Sequence, residues 1–374
     1  MAGQVIHVRA EDKPMEHRAI ITPTTAKQLV DAGYTINVER SPQSVFDDAE
    51  YEAVPGVMLV PTASWRQAPK DHIIAGLKEL PEEEFPLEHT HVQFAHCYKG
   101  QGGWDKVLSR FPRGGGTLLD LEFLEDENGR RVAAFGYHAG FAGAALALMT
   151  WAHQLAHGSN SPLAGVTSYD NEGLLIADVK RAVEAGTAAG GRLPRVLVIG
   201  ALGRCGRGAV DLCRKAGVDD ILEWDLAETS AKAGPYAEIV QSDIFVNCIY
   251  LSAKIPPFVD AAALGGADRR LSVVCDVSCD TTNPNNPVPI YDINTTFDHP
   301  TVPVKLPAGS SELPLSVISI DHLPSLLPRE ASEAFSSALL PSLLQLKERK
   351  QARVWQQAEK LFDDKVATLP KGSY

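Results

Sequence analysis

Six cysteines are present (Cys97, Cys205, Cys213, Cys248, Cys275 and Cys279), yet no two form a C-x-x-C pair. Neither a zinc ribbon nor a thioredoxin motif can be written on the chain. Positive charge is scarce as well: 35 Lys and Arg face 47 Asp and Glu, for a formal net charge of −12. Nucleic acid and anionic membranes are poor partners for such a surface. The opening Met1-Ala2-Gly3-Gln4-Val5 has no basic or apolar leader region, so secretion is not expected and the thiols should stay reduced. The ending Lys371-Gly372-Ser373-Tyr374 is not the Ser-Lys-Leu address of peroxisomal proteins, which leaves the cytoplasm as the expected location. There is no internal repeat and no low-complexity tract. The stretch 135–151 comes nearest to a membrane span, but it is short, dense in Gly and Ala, and contains His138. A close-packed buried helix is expected there.

What is present includes one stretch around which the rest can be arranged. Val196-Leu197-Val198-Ile199 reads as a buried parallel strand. Gly200, Gly203 and Gly206 follow at a Gly-x-x-Gly-x-x-Gly spacing that tightens a strand-to-helix turn. The helix over 209–216 closes at Gly217, and a second strand, Ile221-Leu222-Glu223-Trp224, ends in Asp225. A turn without side chains lets a pyrophosphate reach the N–H groups of a helix start. An acid about 20 residues beyond the glycines can accept both hydroxyls of an adenine ribose. Glycine spacing alone is weak, and a tight turn that binds nothing is its bland alternative. Strand, helix, second strand and acid together favour a dinucleotide, and a carboxylate at 225 favours NAD over NADP.

Ahead of that stretch, apolar runs alternate with helical pieces. Residues 5–9 form a short strand, and Thr22-Pro23 opens a helix that ends near Gly33. Strands are expected at 34–39, 57–60, 73–77, 91–95 and 117–123, the alternation of an α/β domain with a largely parallel sheet. A polar loop covers 158–172. Later strands are expected at 244–249, 271–276 and 317–320, with a Pro/Asn-rich loop at 281–289 and an amphipathic helical region from Arg329 to about Ala367. A chain of 374 residues then makes two Rossmann-like domains. Residues 1–134 with 325–374 would form the substrate side, and 135–324 the dinucleotide side. Ligands of such a pair sit in a cleft between the domains, at carboxyl ends of strands.

Ionisable residues gather where the first set of strands ends. Arg9, Glu11, Lys13, Glu16 and Arg18 share one segment, which by itself reads as a solvated charged loop. Lys78, beside Glu79, follows an apolar run; a desolvated lysine there can serve as a base near neutrality, with an ordinary surface lysine as the even alternative. His96 can shuttle protons near pH 7, unless it is a satisfied core histidine. Glu122 ends a further strand. Arg130 and Arg131 would grip carboxylates bidentately if they border the cleft, a plain surface pair being the alternative. His89 and His91 could share a strand face, but nothing else suggests a metal site.

Phe94-Ala95-His96-Cys97-Tyr98-Lys99, the turn Gly200–Gly206 and the run from Ile318 to Glu330 carry more than pattern. With Arg9-Ala10-Glu11, Ser41-Pro42-Gln43-Ser44 and residues 130–135, the chain resembles the fungal NAD-dependent, lysine-forming saccharopine dehydrogenases nearly end to end. The resemblance implies oxidation of saccharopine by NAD and water to L-lysine, 2-oxoglutarate and NADH. It implies Lys78 and His96 as the acid-base pair, and Arg18, Gln101, Arg131, Phe135, Ser278, Cys279 and Asp280 on the substrate. It implies Arg130, Arg204, Cys205, Asp225, Thr229, Tyr250, Val277, Ile320, Asp321, His322 and Leu323 on the cofactor, with a monomer expected. An alanine-dehydrogenase-like or transhydrogenase-like enzyme, or a non-catalytic NAD-binding protein, are the competing readings.

One expectation concerns thiols. In the usual 3-2-1-4-5-6 order the strand before Cys205 neighbours the fourth strand, taken as 244–249 and carrying Cys248. The two Cβ atoms could then approach the roughly 4 Å of a disulfide, and a bond there would close the turn against phosphate. Two reduced thiols are the alternative.

Overall fold

The computed structural model describes residues 3–100, 102–158, 161–279, 281 and 283–374. The chain divides into two compact units: everything up to Ala134 with everything from Pro328, and Phe135–Leu327.

The first unit is built on β1 (Val5–Val8), β2 (Thr35–Glu39), β3 (Val57–Val60), β4 (Ile73–Ala75), β5 (Thr90–Gln93) and β6 (Thr117–Asp120), all parallel, in the order β3-β2-β1-β4-β5-β6. Helices α1 (Pro23–Asp31), α2 (Asp48–Glu52) and α3 (Trp104–Gly114) connect them. Thr22 caps α1 as expected, its hydroxyl accepting from the Thr25 N–H, with Pro23 at the first helical position. The strands β4 and β6 stop short of the expected 77 and 123. The chain beyond them is free to turn its side chains away from the sheet.

A face of this sheet that alternation alone would assign to apolar residues carries His7, Asn37, His91, Gln93 and Asp120, all buried. Both faces of a parallel sheet are covered, so the polar and apolar sides cannot be told apart by exposure. Burial, aided by Arg9, His89 and Arg110, pushes the His91 imidazole well below its ordinary range.

The second unit holds β7 (Val196–Ile199), β8 (Ile221–Trp224), β9 (Ile244–Asn247), β10 (Val273–Asp276), β11 (Val302–Pro303) and β12 (Ser316–Ile318), in the order β11-β12-β10-β9-β7-β8. All pairings are parallel except that of β11 with β12. Among the described residues no strand lies outside β8; the chain passes through α7 (Leu226–Ala231) and α8 (Ala237–Gln241) directly to β9. The neighbour of β7 is therefore third in the unit's chain order, not fourth, although the expected adjacency stands.

Two helices frame this sheet from the amino side of the motif. The Gly/Ala-rich helix α4 (Gly136–His157) lies against α6 (Arg204–Lys215). A Cβ at Gly140 would overlap the Cys205 carbonyl, and one at Gly208 the Tyr137 carbonyl, so the two backbones touch. Small residues at that crossing explain the composition that mimicked a membrane span. Among the described residues no helix is long and apolar enough to cross a membrane. Helix α5 (Glu172–Gly190) was not expected. Its buried stripe, Leu175, Val179, Val183 and Gly186, falls at helical spacing behind an Asn171 cap, a signal that sequence reasoning passed over. The expected C-terminal helical region is broken: α9 (Pro328–Leu343) contains Pro341, and α10 (Arg353–Val366) starts after an irregular stretch. Both belong to the first unit, where the Trp355 indole N–H donates to the Ser342 carbonyl.

Candidate active site and nucleotide turn

In the first unit the segment after β1 is only in part the solvated charged loop expected, since Asp12 and Pro14 are exposed but other charged groups are not. Arg9, Glu16 and Arg18 are each 5% exposed or less. Burying charge requires partners, and each has one. Arg18 donates from Nε and Nη2 to the two oxygens of Glu16, at 2.7 and 2.6 Å. Burial opposes the Glu16 charge, but Arg18, helped by Lys78, holds the carboxyl below its ordinary range. The bidentate pair uses two of the guanidinium's donors. Arg9 pairs with Glu11, Nη1 donating to Oε2 at 3.3 Å.

Lys78 lies three residues past β4 and is half-buried. Its neighbour Glu79 accepts from Lys13 Nζ at 2.9 Å and faces His96 Nε2 at 3.6 Å. Burial raises the Glu79 carboxyl, yet the Lys13 hydrogen bond and the nearby positive charges leave it below its ordinary value. His96 has φ +51° and a side chain 45% exposed. It is not a core histidine; the left-handed backbone turns its ring out at the end of β5, stacked on Phe94. The main chains of the two segments are joined where the Phe94 N–H donates to the Leu77 carbonyl.

At the end of β6, Glu122 accepts from Lys99 Nζ at 2.7 Å and Arg131 Nη2 at 3.5 Å. Arg130 and Arg131 are exposed, carried on a tight turn in which the Arg130 N–H donates to Asp126 Oδ1. Phe135 is half-buried at the N-cap of α4. Gln101 and Asp280 lie outside the described residues.

In the second unit, Gly200 has φ +88° and Gly203 caps α6. A Cβ at Gly206 would overlap the Gly200 carbonyl, so this glycine lets the helix start press on the turn. Asp225 accepts from the Leu202 N–H at 3.0 Å and the Leu226 N–H at 2.9 Å, and its own N–H is capped by Glu228. It thereby ties β8 to the glycine turn while its carboxylate keeps further lone pairs. Leu202 and Leu226, which sequence reasoning missed, flank it with side chains 65% and 75% exposed. Tyr250 is also exposed, and Thr229 folds its hydroxyl back onto the Asp225 carbonyl. Ile320 and Leu323 are core residues, so only their main chains can serve a ligand; Asp321 is exposed and His322 stands edge-on to Phe297.

The turn after β10 is organised by Asp276, a fully buried acid that sequence reasoning also missed. It accepts from the Ser278 hydroxyl at 2.7 Å, Asn247 Nδ2 at 2.9 Å and the Tyr291 hydroxyl at 2.8 Å. The Val277 N–H donates to the Asn247 carbonyl, and Cys279 is buried with φ +37°. Cys205 and Cys248 are free thiols in mutual hydrogen-bond contact, which with burial raises the Cys248 thiol well above its ordinary value. The expected juxtaposition is present; the bond is not formed. Among the described residues no group of three or more His, Cys, Asp or Glu could hold a metal ion.

Residues 7–142 match the alanine dehydrogenase/PNT N-terminal domain family. By fold the chain is similar to an L-alanine dehydrogenase (TM-score 0.65, 17% identity, 96% of this chain and 94% of that one). It is similar also to a transhydrogenase from Sinorhizobium meliloti (TM-score 0.58, 14% identity, 92% and 95%). These likenesses establish two Rossmann-like α/β units. Sequence similarity goes further. The chain is 65% identical to a saccharopine dehydrogenase [NAD(+), L-lysine-forming] of Neurospora crassa, covering 100% of this chain and 99% of that protein. It is 63% identical to that of Emericella nidulans (99% and 100%) and 58% identical to that of Schizosaccharomyces pombe (99% and 100%). The chain belongs to the NAD-dependent, L-lysine-forming saccharopine dehydrogenases.

Proposed function

We propose that this protein oxidises L-saccharopine with NAD+ and water to L-lysine, 2-oxoglutarate and NADH. The observation that carries this reading is identity of 58–65% over essentially the whole length of enzymes bearing that name. When bound, NAD+ supplies the acceptor for the hydride leaving the carbon beside the secondary amine. Gly200, Gly203 and the start of α6 would hold its phosphates, and Asp225 its adenine ribose. A main-chain cradle that side chains would fill, beside a carboxylate with lone pairs left, fits such a dinucleotide.

The remaining chemistry is proton transfer, which falls to the chain. Hydride departs only from a neutral amine, so a base must first take the amine proton. Water must then be deprotonated as it adds to the carbon, and the lysine nitrogen must be protonated as it leaves. Lys78 and His96 supply the groups, and Glu79 stands between Lys13 and His96. Arg18 and Arg131 take substrate carboxylates, with Phe135 and the Ser278–Cys279 turn completing the substrate side. The enzyme acts as a monomer in the cytoplasm in this reading.

An NADH absorbance assay in both directions, with saccharopine and with lysine plus 2-oxoglutarate, tests it. Turnover with these and none with alanine or pyruvate is expected. Activity confined to alanine and pyruvate would replace the reading with an alanine-dehydrogenase one. Cofactor binding without turnover on any of them would leave a binding protein.

A further inference from the structure

Strand β4 ends at Ala75, so Lys78 is not held by a sheet ladder. Its main chain is held by side chains instead. Glu11 accepts from the Leu77 N–H at 2.5 Å and from the Lys78 N–H at 3.0 Å, one bond to each carboxylate oxygen. Arg9 Nη2 donates to the Lys78 carbonyl, while its Nη1 donates to Glu11. Both polar groups of the Lys78 backbone are thus bound by one ion pair from the segment after β1. The Arg9 side chain is 0% exposed and that of Glu11 7%. Burial raises the Glu11 carboxyl, opposed by Arg9 and the two amides.

Gly76 belongs to the same arrangement. A Cβ there would overlap the Arg9 guanidinium, so the arginine reaches Lys78 only across a glycine. A buried ion pair is a poor source of stability, because desolvating two charges offsets most of their attraction. Here the pair does something a hydrophobic replacement could not: it fixes one residue through both flanking peptides, at the donor before its Cα and the acceptor after it.

We propose that Arg9 and Glu11 are positioning residues for Lys78, setting where its ammonium group stands during proton transfer without touching substrate or cofactor. The proposal rests on Lys78 being an acid-base group of the reaction given above. A displacement of about 1 Å at such a group costs on the order of 10²-fold in rate. Glu11→Gln replaces one acceptor with an NH2 group facing the Lys78 N–H and Arg9, and should lower kcat by about 10- to 100-fold. NAD+ affinity should stay at its wild-type value, since neither Arg9 nor Glu11 is among the residues assigned to the cofactor.

A double-mutant cycle decides the matter. Lys78→Met, Glu11→Gln and the double variant are compared by kcat, with thermal midpoints recorded for each. Positioning predicts that Glu11→Gln costs nothing further once Lys78 is gone. A merely structural role predicts the same fold-loss in both backgrounds, and that result overturns the proposal, as does wild-type kcat in Glu11→Gln. Full turnover in Lys78→Met would remove Lys78 from the chemistry and the proposal with it, a different failure that the single variant identifies by itself. If Glu11→Gln does not fold, Arg9→Lys, which keeps the charge and loses the fork, enters the same cycle with the same expected outcomes.

Discussion

The two sheets present the same topological crevice and fill it in opposite ways. In the first, chain order reverses between β1 and β4; in the second, between β7 and β9. Such a switch point at the carboxyl ends is where open α/β sheets bind ligands. After β7 the crevice is lined by glycines, with no side chain from Gly200, Gly203 or Gly206 to fill it. After β1 the equivalent space is occupied by Arg9 and Glu11, whose groups are spent on the chain itself. Counted from the strand ends, Lys78 lies three residues beyond β4, the place that Tyr250 holds beyond β9. One crevice is bare, as the proposed cofactor site requires; the other is packed with charge that holds the Lys78 main chain. Topology offers the place, and the turn residues decide its use.

The sharpest way to break this contrast is to remove the acid-base groups. Lys78→Met and His96→Gln should each lower turnover by about 10²-fold or more, with NAD+ titrations unchanged. Near-normal turnover in either would make that residue structural. Asp225→Ala addresses the bare crevice: NAD+ should bind about one to two decades more weakly, through loss of roughly 1.5–3 kcal/mol of charge-assisted bonding. The NAD/NADP preference should narrow as well, and an unchanged preference would take Asp225 out of the ribose site.

Arg131→Ala should raise the KM for 2-oxoglutarate or saccharopine by about tenfold or more, leaving that for NAD+ alone. Arg18→Ala is a less clean test, because it strands the buried Glu16 carboxylate and costs stability too. Mild oxidation without NAD+ should link Cys205 to Cys248 and weaken NAD+ binding reversibly; peptide mapping that finds no such link ends that expectation.

The last expectation concerns stability rather than activity, at Asp120. Burial raises its carboxyl from 3.8 to about 7, against main-chain bonds from Glu122 and Ala95. Between those values the folded chain keeps a proton that the unfolded chain has shed. The stabilising contribution is therefore complete below pH about 4 and is lost as pH rises to about 7. Thermal midpoints of Asp120→Asn should lack that decline; parallel curves for the two proteins would assign it to other groups.

The bare crevice was legible and the packed one was not. Gly200, Gly203, Gly206 and Asp225 announce themselves because a turn, a helix start and a strand end are local events. The Thr22 cap and the parallel strands were readable for the same reason. Arg9 and Glu11 could be seen only as a charged loop, since their partner on the chain lies up to 69 residues away and is a backbone. No side-chain pattern records a bond to a peptide group so distant in the sequence. Asp120 and Asp276 escaped notice likewise, as they serve main-chain amides and neighbouring turns.

The contact of α4 with α6 has a bearing on domain transplantation. The nucleotide motif begins at β7, and a protein engineer would be tempted to cut there. Yet α6 rests on α4 through Gly140 and Gly208, and the core beneath β7 is completed by Phe141, Leu148, Leu175 and Val179 from upstream. A fragment starting at β7 would leave that apolar surface in water and the phosphate-facing helix without its bearing. The smallest portable unit that carries the glycine turn starts at Phe135, well before the turn itself.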